Sequence, residues 1–434
     1  MDWRNHIISA QAAAQKIKSG YRVFLTGNCS TPQQFIAALR ERAAELQHVE
    51  LVQILSLGKP LNIDPSMAQH LRVNSLFIDK HIRQSVNDGY ADFTPVFLSQ
   101  IPFLFRTGRL VLDAAIIHIS PPDEHGFCSY GIEVGVTKSA AESAGIVIAE
   151  VNPNMPRTHG DSFIHVSQIN YFIEVDYSLP EVKPEAPSEV KQRIAKHIAE
   201  LIPDGATLQT GIGGIPDAVL RQLGGHKNLG IHTELFSDGV MEMIEAGVIT
   251  NASKSLHPGK VVAGFGLGTE KLFQYVHDNP FFEMHPTEYV NDPYIISKND
   301  RMISINSAIE VDLTGQVCAD SIGYEFYSGV GGQLDFVRGA TRSKEGKSFI
   351  ALPSTSKGDT VSRITGELKA GAGVTTSRND VMYVVTEYGA ADLFGRSIRE
   401  RVHALANVAH PNFREDLLRF AREHYNIDRV FAGV

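Results

Sequence analysis

The chain has little of what would make it an extracellular, metal-scaffolded or membrane protein. Only three cysteines, Cys29, Cys128 and Cys318, occur in 434 residues. Their odd number, wide separation and lack of C-x-x-C spacing argue against a disulfide framework or a structural zinc site. They fit a reducing, cytoplasmic setting. Positive charge is also short: 40 Lys and Arg stand against 49 Asp and Glu, a net charge of −9. With no basic excess to neutralise phosphates, nucleic acid is not an expected partner. No uninterrupted apolar run approaches membrane-spanning length, so no membrane partner is expected either. The opening MDWRNHIISAQAAAQKIKSG has charges interrupting its apolar runs. It reads as an amphipathic helix closed by Gly20 rather than a signal peptide.

Several catalytic signatures are absent too. There is no G-x-S-x-G elbow and no G-x-x-x-x-G-K-[ST] loop, and the 17 histidines form no H-E-x-x-H. PPDEHG offers Asp123, Glu124 and His125 in succession. Contiguous ligands share neither a helix face nor a strand face, so this reads as a turn after a strand, and no metal is expected.

What is present is ordinary globular composition, 43% hydrophobic and 21% charged, with material for a large core. The informative feature is an internal repeat. VFLTGNCSTPQQFIAAL (23–39) and TLQTGIGGIPDAVLRQL (207–223) share T-G-x-x-x-x-P, through Thr26, Gly27 and Pro32 in one and Thr210, Gly211 and Pro216 in the other. HVELVQILSLG (48–58) matches NLGIHTELFSDG (228–239), VNDGYADFTP (86–95) matches VHDNPFFEMHP (276–286), and DAAIIHISPPDEHGFC (113–128) matches NSAIEVDLTGQVC (306–318). A strand, Gly turn, helix, strand order repeated twice predicts an α/β fold. Its two similar domains would each hold a largely parallel sheet flanked by helices and be related by internal duplication. The Pro- and Glu-rich SLPEVKPEAPSEV (178–190) reads as a linker, dividing the chain into 1–185 and 186–434.

The second half carries the polar equipment. Where it has Gly213, Gly214 and Glu234, the first has Cys29, Ser30 and Ile54. TGIGGIPDAV lies between a strand and a helix, where backbone N–H groups suit an anion; Pro216 rules out the dinucleotide fingerprint. Its glycines serve either a tight turn or an oxyanion or cofactor loop. YSGVGGQLDFVRGA (327–340) is a second such loop, with Gly331 and Gly332. Glu234 is read at the carboxyl end of its strand, beside the first loop, where open α/β sheets bind ligands. A carboxylate beside N–H donors is equipped for nucleophilic catalysis, and at neutral pH an ordinary one is already ionised. ALPSTSKGDTVSRI (351–364) puts Lys357 on a loop, as a surface lysine or as a phosphate or pantetheine contact.

These blocks, with SPPDEHGFCSYG, EYVNDP and the long TEYGAADLFGRSIRERVHALANVAHPNFREDL (386–417), resemble the acetate and 4-hydroxybutyrate CoA-transferases, a family that includes acetyl-CoA hydrolases. The resemblance covers nearly the whole chain. It implies that Glu234 is the catalytic glutamate and that Gly211, Ile212, Gly213, Gly214 and Ile215 form the CoA-binding and oxyanion loop. It further implies CoA contacts at Ile309, Gly331, Gly332 and Lys357, and a thioester contact at Asn291. CoA and acyl-CoA would be substrates alongside a short-chain carboxylate, with no permanently bound cofactor, in a homodimer. The expected reaction moves CoA from acetyl-CoA to an acid such as 4-hydroxybutyrate. Acetyl-CoA hydrolysis, transfer to or from propionate, butyrate or succinate, and non-catalytic CoA binding are the alternatives.

Overall fold

Short apolar runs alternating with helices assemble into two sheets in a computed structural model that describes residues 3–59, 61, 63–184, 186–211 and 213–427. The first half supplies β1 (Arg22–Leu25), β2 (Val49–Gln53), β3 (Leu71–Ser75), β4 (Asp92–Phe93), β5 (Ala114–Ile119), β6 (Ile146–Val151), β7 (His159–Gly160) and β8 (Tyr171–Glu174). The second supplies β9 (Thr207–Thr210), β10 (Gly230–Phe236), β11 (Val261–Gly266), β12 (Phe282–Met284), β13 (Met302–Ser307), β14 (Lys347–Ala351), β15 (Tyr383–Thr386) and β16 (Gly389–Asp392). β5 and β11 are buried along their whole length, which explains why they read as continuous apolar runs: a parallel sheet is covered on both faces.

The seven-stranded sheet runs β8-β6-β5-β1-β2-β3-β4, all parallel. The nine-stranded sheet runs β16-β15-β14-β13-β9-β10-β11-β12-β7, parallel except for the β15–β16 hairpin. Without the outer β16 and β7 the two orders coincide. In each, the half's first strand lies between its second and its fifth. One strand crosses the division: β7, from the first half, pairs with β12 through His159–Glu283 and Gly160–Met284. The halves also share one apolar core, in which Phe24, Ile117 and Ile132 join Leu208, Ile231 and Phe265. Residue 185, the expected boundary, lies outside the described residues. None of the described helices is long and apolar enough to cross a membrane.

Three local expectations change. The amphipathic helix at the start is reduced to a 3-10 turn, Trp3–His6, and a short helix, Ala10–Ala14. Between them Ile7 pairs with Phe172 on the edge strand β8, a tertiary pairing that overrides the helical periodicity. The fourth matched pair of segments is out of register: β5 begins at Ala114, but its topological counterpart β13 spans Met302–Ser307, so residues 308–318 of the matched segment sit beyond it. The slot of Glu234 in the first half also shifts by one. Val23 pairs with Leu51 and Thr207 with Gly230, so the equivalent of Glu234 is Leu55 and not Ile54. The three cysteines are free and buried. The Asp123 carboxylate accepts from the His125 and Phe127 amides at 2.9 and 2.8 Å and pairs with Arg157, an ordinary capped turn.

Candidate active site

The order of the second sheet reverses between β9 and β13, and the crevice at the carboxyl ends of such strands is where α/β sheets bind ligands. A cavity of about 270 Å³ opens there. Gln209 and Thr210 of β9, Asn306 and Ser307 of β13, Gly211, Gln333 and Glu234 give it a polar wall. Ile54, Leu55, Phe77 and Leu98 close it from the first half, with Leu98 N–H donating to the Gly331 carbonyl at 3.0 Å.

Glu234 lies inside its strand, not at the end of it. β10 continues to Phe236, with Leu235 opposite Phe265 and Phe236 opposite Gly266 on β11. On the other side, backbone pairing to β9 stops at Ile231. Beyond that point the Thr233 hydroxyl bridges to the Thr210 backbone instead. The parting of β9 and β10 leaves the Glu234 carboxylate half-buried and facing the cavity.

His232 and Glu234 share a face by the two-residue period of a strand. His232 Nε2–H donates to the Val290 carbonyl at 2.9 Å, fixing the helical turn Thr287–Val290. The next residue, fully buried Asn291, then donates from Nδ2 to Glu234 Oε2 at 2.9 Å. Desolvation pushes the Glu234 carboxyl up to about 7, against the pull of Asn291 and the Gly332 backbone amide, which favour the charged form. The expectation of an ordinary, already ionised carboxylate is corrected accordingly: near neutrality the group is balanced between its two forms. Two more buried carboxyls stand close by. Glu133, bonded to the Asn28 amide, is raised to about 8, and Asp335, which accepts from Ser99 Oγ at 3.0 Å, to about 7. Burial is the main cause for both, and the Glu234 charge adds to it.

Of the other expected site residues, Gly331, Gly332 and Gly211 line the cavity with Glu234. A Cβ on Gly332 would fall far inside contact distance of both Glu234 Oε2 and Asn291 Nδ2, so this position has no room for a side chain. Gly213, Gly214 and Ile215 of the first loop are not among the residues lining the cavity. Gly213, at φ 105°, caps the helix Gly214–Gln222. Gly214 packs against the Lys191 side chain, and Ile215 is buried in that helix. Ile212 lies outside the described residues. Ile309 follows β13, its N–H bonded to the Cys318 carbonyl at 2.8 Å, and is not among the residues lining the cavity. Lys357 is exposed in a left-handed turn, φ 51°, also away from the described lining. The sequence reading missed Gln209, Asn306, Ser307 and Gln333. Gln209 and Asn306 left a signal, as amide side chains one residue from the carboxyl ends of their strands. Phe77 and Leu98 left none, because they come from a bend and a 3-10 turn of the opposite half.

Comparison with known proteins shows the family of the chain. Residues 1–182 match the acetyl-CoA hydrolase/transferase N-terminal domain and residues 268–421 the C-terminal domain. A 4-hydroxybutyrate coenzyme A transferase of Clostridium kluyveri is 50% identical over 96% of this chain and 98% of its own. The chain belongs to the acetyl-CoA hydrolase/transferase family. A succinyl-CoA:acetate/propanoyl-CoA:succinate CoA transferase of Fasciola hepatica is 46% identical, over 95% of this chain and 86% of its own. Among solved structures, a 4-hydroxybutyrate CoA-transferase from Porphyromonas gingivalis superposes with TM-score 0.84 at 42% identity, covering 97% of this chain and 98% of that one. RipA from Yersinia pestis reaches 0.92 at 33% identity, over 98% of this chain and 99% of that one. The protein is therefore an enzyme of this family, and CoA is its expected substrate.

Asn291 gives this family member a direct test. Asn291→Ala removes the side-chain donor that, among the described residues, favours ionised Glu234. With Glu234 as the nucleophile, the role proposed for it below, the pH at which activity reaches half its plateau should move upward from about 7. A pH–rate profile of the variant checks this.

Proposed function

We propose that the enzyme transfers CoA from acetyl-CoA to a short-chain monocarboxylate, with 4-hydroxybutyrate the favoured acceptor and Glu234 the nucleophile. The observation that carries the reading is the Glu234 carboxylate, aimed into the cavity and held by Asn291 beside the side-chain-free Gly332.

In the proposed sequence, ionised Glu234 attacks the acetyl-CoA carbonyl, breaking the C–S bond and forming an acetyl-glutamyl anhydride and CoA thiolate. The thiolate attacks the Glu234 carbonyl and expels acetate, leaving a glutamyl-CoA thioester. The acceptor carboxylate attacks that thioester, giving a new anhydride and the thiolate. Attack of the thiolate on the acceptor's carbonyl releases the product and restores Glu234. Each step passes through an oxyanion, for which the Gly332 N–H and Asn291 Nδ2 are positioned donors; loss of one such donor typically costs about 10²–10³-fold in rate. The thioester energy is conserved throughout, so no nucleotide is consumed. The first-half residues Ile54, Leu55, Phe77 and Leu98 shield the anhydride from water. Because the attacking form is the carboxylate, the acetyl-CoA half-reaction should rise with pH through about 7.

The decisive experiment incubates the enzyme with acetyl-CoA, reduces it with borohydride and maps the product by mass spectrometry. A thioester-derived alcohol at Glu234 is expected. An unmodified 230–240 peptide alongside full turnover would sink the mechanism.

The acceptor class follows from charge. None of the described residues lining the cavity is Lys or Arg, so a second carboxylate on the acceptor would be buried without a counter-charge. Gln209, Asn306 and Ser307 offer partners to a hydroxyl instead. Across a panel of acceptors, kcat/KM should therefore be higher for 4-hydroxybutyrate and butyrate than for succinate. The shared strand order further supports reading the halves as copies of one ancestral unit, divided near residue 185, of which the second kept the nucleophile.

A further inference from the structure

Away from the cavity, three metal-ligating side chains converge from two segments. Glu283 lies on β12 and His285 just past its end, so the two-residue period puts both on one face. His257 reaches them from the turn before β11, where its backbone is left-handed at φ 51°. One ligand atom of each lies within 4.8 Å of the others. His257 Nδ1 is 2.7 Å and His285 Nε2 3.6 Å from the same Glu283 oxygen, Oε2. Ligands about 2.0–2.2 Å from a tetrahedral zinc-type centre sit on the order of 3.3 Å apart, and these separations bracket that spacing.

We propose that His257, Glu283 and His285 form a binding site for one divalent transition-metal ion of the zinc type. A simple ion pair explains only His257 and Glu283. It leaves His285 Nε2, a buried atom with no hydrogen-bond partner, aimed at a carboxylate it does not reach. A buried polar atom of this kind calls for a partner, and a shared cation supplies one to all three groups. The supporting shell is also in place. The Tyr289 hydroxyl lies 2.6 Å from His257 Nε2, and with Nδ1 on the ion it would accept a hydrogen bond from Nε2–H, fixing the ring. The neighbouring cation is Lys254, whose buried ammonium is taken up by the Ile231 and Lys260 carbonyls at 2.7 Å each. Two imidazoles and one carboxylate select a zinc-type ion over magnesium or calcium, which prefer oxygen ligands. Tyr289 belongs to the turn Thr287–Val290 that leads into Asn291, so the ion would brace the segment that positions Asn291 and would not touch the reacting atoms.

The test titrates chelator-treated full-length protein with Zn²⁺, and with Co²⁺ for a visible spectrum. One equivalent per chain is expected, with Co²⁺ bands typical of low-coordinate imidazole and carboxylate ligation and a rise in Tm with metal concentration. His257→Asn keeps a residue that tolerates the left-handed backbone. It and His285→Gln should each abolish stoichiometric binding, and Tyr289→Phe should weaken it about 10–100-fold. Wild-type protein that takes up no metal overturns the proposal. So does undiminished binding by both histidine variants, which would place the ion elsewhere among the 17 histidines. Circular dichroism checks that each variant is folded, and Glu283→Gln provides the same test should either histidine variant not be.

Discussion

Glu234→Gln is expected to lower CoA exchange by on the order of 10⁴-fold or more, the scale seen when a nucleophile is removed from an assembled site. The amide keeps the shape of the side chain and can still accept from Asn291 Nδ2, but it cannot attack a thioester. CoA binding should survive, because the cavity walls are unchanged. Stability should move the other way. Folding raises the Glu234 pKa from the ordinary 4.5 to about 7, so the folded state holds its proton more tightly than the unfolded chain does. That contribution is fully present below pH 4.5 and is lost as pH rises to about 7. Glutamine carries no such loss, so the variant should have the higher Tm at pH 8 and show little difference near pH 4. Exchange rates together with melting curves at the two pH values check both halves of the prediction. Inactivity with added stability marks a residue kept for chemistry at the fold's expense. Exchange at the wild-type rate would remove Glu234 from the mechanism.

The parts of this site that the sequence exposed are those in which a local chemical type conflicts with its surroundings. Glu234 stands in an otherwise buried strand whose first-half counterpart, Leu55, shows that the sheet itself needs no carboxylate. The strand-turn-helix grammar, repeated at 23–39 and 207–223, foretold two sheets because each turn carries its own Gly and Pro signals. What stayed hidden depends on geometry between distant segments. The glycines at 213 and 214 look equivalent to Gly211 in the sequence, yet one caps a helix and the other admits Lys191. Leu98 reaches the cavity only because its N–H meets Gly331 across the two halves, and no local pattern records that. The loss of β9–β10 pairing after Ile231, which makes room for the carboxylate, is likewise a property of two strands and not of either one. Lys357 is exposed and does not line the cavity, so a role in holding CoA would require contact with the part of the molecule outside it.

Gly332→Ala carries the second large effect, and it separates space from hydrogen bonding. Gly332 has φ −97° and ψ 9°, a backbone conformation open to alanine, so the substitution introduces no left-handed strain. The N–H donor is also retained. What changes is the added Cβ, which would overlap both Glu234 Oε2 and Asn291 Nδ2. Asn291 is fully buried, so the group that gives way is the Glu234 carboxylate at the end of its side chain. The carboxylate must swing away from its donor, and displacement of about 1 Å at a reacting group can cost about 10²-fold. Loss of the Asn291 bond adds to this, since one donor to a developing oxyanion is worth about 10²–10³-fold. Exchange activity should therefore fall by at least about 10²-fold. Gly224→Ala is the matched control, because its Cβ would meet nothing within 4 Å and its activity should not change. Borohydride labelling of Gly332→Ala should show less modified Glu234 after a fixed exposure to acetyl-CoA, which would place the defect in the first acyl transfer. Wild-type labelling and turnover in the folded variant would mean that the Glu234–Asn291–Gly332 contact is not the reacting arrangement.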